Sequence, residues 1–174
     1  MDYLWTPWRY SYITGPRTDL GEPADCVFCE AAACPDDEKA LVVHRSQHNF
    51  IILNRFPYTS GHVMVVPYAH VATLEEMPED ALLEMIRLAR DCERVLRATY
   101  RPDGLNLGLN IGRSAGAGVA GHIHLHALPR WTGDANFMTP IAETRVLPED
   151  LSVTWKRLRA TFAPAAEQNA PGKE

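Results

Sequence analysis

The chain has 174 residues, 17 of them basic and 22 acidic, for a formal charge of −5, with 46 % apolar and 22 % charged residues. Those proportions are ordinary for a globular domain, and a chain of this length can bury roughly 70 % of its unfolded surface in one core, so it needs no disulfide staples. The acidic balance argues against partners recognised by bulk charge, such as duplex DNA or anionic lipid, and no apolar stretch approaches the roughly 20 residues of a membrane span. A cytoplasmic protein with neither nucleic-acid nor membrane partners is expected.

In chain order, residues 1–25 carry Trp5, Trp8, Tyr10 and Tyr12 without a clean period. This is too aromatic for a disordered tail, so it reads as an arm packed on its own body or on a second subunit. Its first ten residues lack the basic and apolar regions of a secretory leader. Ala40–Arg45 and Asn49–Asn54 are apolar runs separated by Ser46–Gln47–His48, a predicted hairpin with His44 and His48 as surface or turn residues. A loop containing Pro57 leads to a strand over His62–Val66, which Pro67 ends. Leu82, Met85, Ile86, Ala89, Cys92 and Leu96 recur at helical spacing over Pro78–Tyr100, after an acidic first turn. Alternation predicts a strand over Gly104–Gly112, followed by the glycine-rich loop Arg113–Gly121 and a further strand over His122–Pro129. Leu151, Trp155, Leu158 and Phe162 mark a last helix, and residues 163–174 have almost nothing to bury, so a disordered tail is expected. Hairpin-linked strands with helices on one side indicate an α+β fold: an antiparallel sheet of about five strands, one long helix and one or two short ones, over residues 26–162.

The informative segment is His122-Ile123-His124-Leu125-His126-Ala127-Leu128. On a strand, its three histidines share one face at steps of about 7 Å, while Ile123, Leu125 and Ala127 anchor the other. Such a strip can bind a metal as a His₃ site, or it can attack phosphorus through a neutral imidazole nitrogen. The adjacent loop favours the second, because its backbone N–H groups can form a concavity for phosphate.

His-φ-His-φ-His-φ-φ, with φ apolar, resembles the defining motif of the histidine triad (HIT) superfamily of nucleotide hydrolases and transferases. Asn54-Arg55-x-Pro57-x-x-x-Gly61-His62-Val63-Met64-Val65 resembles the strand that faces the triad in that family. Leu4–Arg9, Gly61–Tyr68 and Pro129-Arg130-Trp131-x-Gly133-Asp134-x-Asn136-Phe137 are similar to the bacterial branch that includes diadenosine tetraphosphate phosphorylases. The resemblance spans residues 4–160. It implies that His124 attacks the α-phosphorus to form a transient nucleotidyl-histidine, and that His126 hydrogen-bonds or protonates the leaving oxygen. It further implies that His122 and His62 order the array, that Asn54 meets the ribose, and that Asn110 with the Ala117–Gly118 backbone contacts phosphate. A homodimer acting on an adenine nucleotide, without an organic cofactor, follows from the same likeness. One departure bears on the acceptor. Gly118 stands where phosphorylases of this branch carry a hydroxyl residue, which leaves water and inorganic phosphate open as acceptors, with Ser114 or Arg113 in reach of compensating.

Cys26-Val27-Phe28-Cys29 alone is compatible with redox chemistry, zinc or coincidence. Bacterial members of the superfamily combine such a pair with a histidine at the place of His70 and with the first triad histidine, so the resemblance implies structural zinc on Cys26, Cys29, His70 and His122. Cys34 and Cys92 are read as unrelated to it, and Ile51, Leu53 or Phe28 as the apolar wall of a nucleoside pocket. A nucleotide sensor or scaffold with vestigial activity is the competing reading, motivated by the aromatic arm. A zinc finger is not, since 40 residues separate Cys29 from His70.

Overall fold

The computed structural model describes residues 26–134 and 149–167. The aromatic arm, Asn136-Phe137 and the tail beyond Glu167 lie outside the described residues. Five strands, β1 (Val42–Arg45), β2 (Asn49–Leu53), β3 (Val63–Pro67), β4 (Gly104–Leu109) and β5 (Leu125–Arg130), form one antiparallel sheet in the order β1-β2-β3-β5-β4. The helices are α1 (Val27–Ala33), α2 (Asp37–Ala40), α3 (Glu79–Tyr100) and α4 (Leu151–Glu167). The mixed architecture matches the expectation. The short helix α1, built on the Cys-x-x-Cys segment, goes beyond it, and α4 runs five residues past the 162 boundary.

Strand alternation sorts the core into two layers. Ile51, Leu53, Val63, Val65, Leu125 and Ala127 face Met85, Leu88, Cys92 and Leu96 of α3 and Leu158 and Phe162 of α4. Phe50, Ile52, Met64 and Val66 face the opposite way and pack with Cys26, Phe28 and Ala31 at α1. Coverage on both faces explains why β2 and β3 are buried along their whole length, and apolar but for Asn49, rather than alternating. On α3 the buried stripe is Ala81, Met85, Leu88, Ala89, Cys92, Val95 and Leu96. Ile86, expected on that stripe, is 59 % exposed, because it lies about 100° around the helix from Met85.

Two polar clamps position the elements that carry the site. The Glu84 carboxylate accepts from Ser46 Oγ (2.7 Å), Gln47 N (3.1 Å), His48 N (2.8 Å) and Asn49 Nδ2 (2.8 Å), which ties the β1–β2 turn to α3. The Arg45 guanidinium donates to the carbonyls of Ala31, Ala32 and Cys34 at 3.2, 2.8 and 2.9 Å. It thereby caps the C-terminal end of α1, where helix carbonyls lack partners.

The histidine strand differs from expectation at its start. Ladder pairing begins at Leu125, so His122 and His124 lie on the approach to β5 rather than within it. The physical reason is Pro67, opposite that approach. It has no N–H to donate, and its carbonyl is taken by His122 Nε2 at 2.9 Å. The Ile123 N–H turns instead to the Val71 carbonyl at 2.7 Å.

Candidate active site and metal corner

Met64 pairs directly with His126 across β3 and β5, so His126 projects from the α1 face of the sheet. A cavity of about 510 Å³ opens there. His124 and His126 line it beside Phe28, Ile52, Leu53, Met64 and Val119, with Asn54, Arg55, Tyr58, Gly116 and Gly118 around the apolar wall. Phe28 falls where expected, and Leu53, at the end of β2, borders the cavity although it packs in the α3 layer. Ile51 does not: it faces α3, and its neighbour Ile52 takes the wall position because adjacent strand residues point to opposite faces. Asn110 and Ala117 are not among the lining residues, and the Ala117 N–H is occupied by the Gly112 carbonyl at 3.4 Å.

Hydrogen-bond partners assign a tautomer to each ring. His124 Nδ1 lies 2.8 Å from the His122 carbonyl, which can only accept, so Nδ1 carries the proton and Nε2 keeps its lone pair. His62 Nδ1 accepts from the Tyr58 N–H at 3.2 Å, so the His62 proton sits on Nε2 and is donated to His126 Nδ1 at 3.0 Å. His126 therefore holds its own proton on Nε2. The two reacting-type rings meet edge to face, 4.9 Å between centroids. One presents a lone pair and the other a proton.

Burial keeps this array neutral. His62 is pushed down to about 3, first by burial and then by the His126 and His124 rings beside it. His126 falls to about 4 from burial and then from His124, while burial lowers His124 despite the carbonyl that favours its proton. Asn54, the expected ribose contact, lies on the cavity wall. Its Oδ1 accepts the Phe56 N–H at 2.9 Å and its Nδ2 sits 3.4 Å from His62 Nδ1.

His122 is turned to another task. With Nε2–H bound to Pro67, its Nδ1 lone pair faces Cys26 Sγ at 3.3 Å and Cys29 Sγ at 3.7 Å. His70 Nδ1 lies 3.3 Å from Cys29 Sγ, and the four ligand atoms all fall within 4.8 Å of one another. A tetrahedral zinc with two sulfur and two nitrogen ligands needs sulfur-to-nitrogen edges of about 3.5 Å, so the geometry fits. The donor chemistry fits too. Burial and then the adjacent Cys26 push the Cys29 thiol up to about 11, a cost that a divalent cation removes by binding the thiolates. Cys34 and Cys92 stand outside this corner, the latter fully buried against α3's partners.

The HIT domain family matches residues 36–133, which includes the whole histidine segment. The chain belongs to the HIT family. It is 41 % identical over 162 residues to an AP-4-A phosphorylase of Mycobacterium tuberculosis, covering 91 % of this chain and 82 % of that protein. Among solved structures, it resembles a zinc-bound histidine triad protein of Mycobacterium smegmatis (27 % identity, TM-score 0.66), with 85 % of this chain and all of that one covered (100 %). It also resembles a hypothetical histidine triad nucleotide-binding protein of Sulfolobus tokodaii (25 % identity, TM-score 0.67, covering 86 % and 99 % of the two chains). Among the described residues, no helix of this HIT protein is long and apolar enough to cross a membrane.

Tyr58 escaped the sequence reading. Its N–H sets the His62 tautomer, and its ring packs 4.8 Å from His62. Nothing in the loop's composition signals a backbone donor of that kind. The sequence suggests Phe28 only as a wall residue, yet its ring also packs on His122 (5.4 Å between centroids) and His124 (4.9 Å).

Proposed function

We propose that this HIT protein transfers a nucleotidyl group from a dinucleoside polyphosphate or related adenylate to water or phosphate through a covalent nucleotidyl-histidine. The observation that carries the reading is the 2.8 Å contact between His124 Nδ1 and the His122 carbonyl, which assigns the proton to Nδ1 and leaves Nε2 as the lone-pair nitrogen of a ring on the cavity wall. Nε2 bonds to the α-phosphorus as the bridging P–O bond breaks. The departing phosphate leaves as its anion, stabilised by the His126 Nε2–H. An acceptor oxygen then attacks phosphorus, water releasing its proton to solvent or inorganic phosphate attacking as its anion; the N–P bond breaks, and His124 recovers its lone pair. His62 holds His126 in the donating tautomer, Asn54 meets the ribose, and the Gly118 backbone lies against phosphate. Adenine is the proposed base, from the likeness to AP-4-A phosphorylase.

Cys26, Cys29, His70 and His122 are the proposed zinc ligands, and the ion's contribution is structural, joining α1 to the approach to β5. A homodimer is supported by the edge strand β4, on which Leu107 is 46 % exposed and just after which Ile111 is 44 % exposed; light scattering that returns a monomer mass would reject it. Cys34 and Cys92, free thiols outside the proposed ligand set, suit a reducing, cytoplasmic setting.

Product analysis of diadenosine tetraphosphate turnover tests the activity. AMP plus ATP identifies water as acceptor, and ADP plus ATP appearing only with inorganic phosphate identifies phosphorolysis. No turnover under either condition would overturn the reading.

A further inference from the structure

Helix α1 is shared between the two halves of the site. Cys26 precedes its first residue and Cys29 lies in its first turn, both aimed at His70 and His122. The residues between and after them, Val27, Phe28, Glu30 and Ala31, line the cavity. The two sets alternate on one turn of helix, so the metal corner and the cavity wall cannot move independently. Phe28 makes the coupling physical. Only 4 % exposed, it meets the His122 ring edge-on at 5.4 Å and the His124 ring at 4.9 Å, tilted by 49°. One aromatic side chain therefore touches a metal-corner histidine, the lone-pair histidine and the space a nucleoside would occupy.

The far end of α1 is already held by Arg45, which binds three of its terminal carbonyls. The near end has no side-chain cap; beyond its apolar packing on the sheet, its side-chain hydrogen bonds to the body, among the described residues, run through the Cys26 and Cys29 thiols. A cation there fixes the end from which Phe28 projects. A second link runs through the backbone: the carbonyl of His122, whose ring faces the cysteines, accepts the His124 Nδ1 proton.

We infer that Phe28 is a positioning residue that makes metal and nucleotide binding mutually reinforcing, so that each ligand tightens the other by the same factor. This rests on the nucleotide and zinc readings above. Linkage requires the reciprocity, since both ligands favour the same placement of α1.

The test is equilibrium binding rather than turnover. Zinc affinity is measured against a chromophoric chelator with and without saturating AMP, and AMP affinity by calorimetry on the zinc-loaded and metal-free protein. The expected result is an equal enhancement in both directions, on the order of 5-fold to 100-fold. In Phe28→Leu, which keeps apolar bulk but loses the ring contacts, the enhancement should fall toward one while zinc still binds. Phe28→Tyr should retain it. An enhancement of one in the natural protein, or one unchanged in Phe28→Leu, overturns the inference. Failure of the protein to bind zinc or AMP at all is a separate result, which removes the reading beneath it and the inference together.

Discussion

His122 and His124 are two residues apart and chemically identical, yet they serve different regions of the molecule. The ring nitrogen that is tied up decides which. His122 spends Nε2–H on the Pro67 carbonyl and turns Nδ1 to two sulfurs. His124 spends Nδ1–H on the His122 carbonyl and, as a ring lining the cavity, keeps its lone pair on Nε2. The candidate metal corner is thus built from lone pairs converging on one point, whereas the proposed reacting pair sets a lone pair on His124 against a proton on His126. A backbone carbonyl two residues away is enough to separate the proposed ligand from the proposed nucleophile.

Breaking the reacting side should have the largest effect. His126→Ala removes the proton donor and should lower turnover of a nucleotide leaving group by about 10²–10⁴-fold. An adenylate with a nitrophenol leaving group, which departs readily unaided, should lose far less. Equal losses on both substrates would mean that His126 does not face the departing oxygen.

Breaking the metal side should act on α1 first and on chemistry second. Cys29→Ser, or removal of metal by a chelator, should lower Tm and speed amide exchange over residues 26–34, raising KM more than it lowers kcat. A fall in kcat with exchange unchanged would contradict the division between the two regions. Metal content measured by mass spectrometry identifies the ion.

The smallest effect sharpens the comparison by pH. Folded His62 is held near 3 against an unfolded value of about 6.5. Below the unfolded value, the unfolded chain takes a proton that the folded chain refuses. Stability is therefore full above about pH 6.5 and declines as pH falls toward 3. His62→Gln lacks that group, so its denaturation midpoint should vary less steeply than the natural protein's between pH 6.5 and 4. Parallel curves would show that His62 does not enter the folded state neutral.

Much of this was legible in the sequence because it depends on period. The alternation of residues 122–128 put Leu125 and Ala127 into the α3 layer and His126 on the opposite face, and the helical spacing over 79–100 located α3. The four metal-corner residues converge as the family likeness implied. What stayed hidden depends on single long-range partners. No pattern announces that Pro67 offers its carbonyl to an imidazole and so ends the ladder before His124, or that the Tyr58 N–H assigns the His62 proton. Ile51 and Ile52 are indistinguishable by composition, and only the register with β3 tells which one reaches the cavity.

The account stands on bond formation at His124. Brief mixing of the protein with diadenosine tetraphosphate, an acid-free quench and peptide mass spectrometry should find one adenylyl group on the peptide containing His124. The group should be labile to acid and absent in His124→Ala, which should lose turnover by more than about a thousandfold. Robust turnover by that variant, or an adduct on a different side chain, would contradict it.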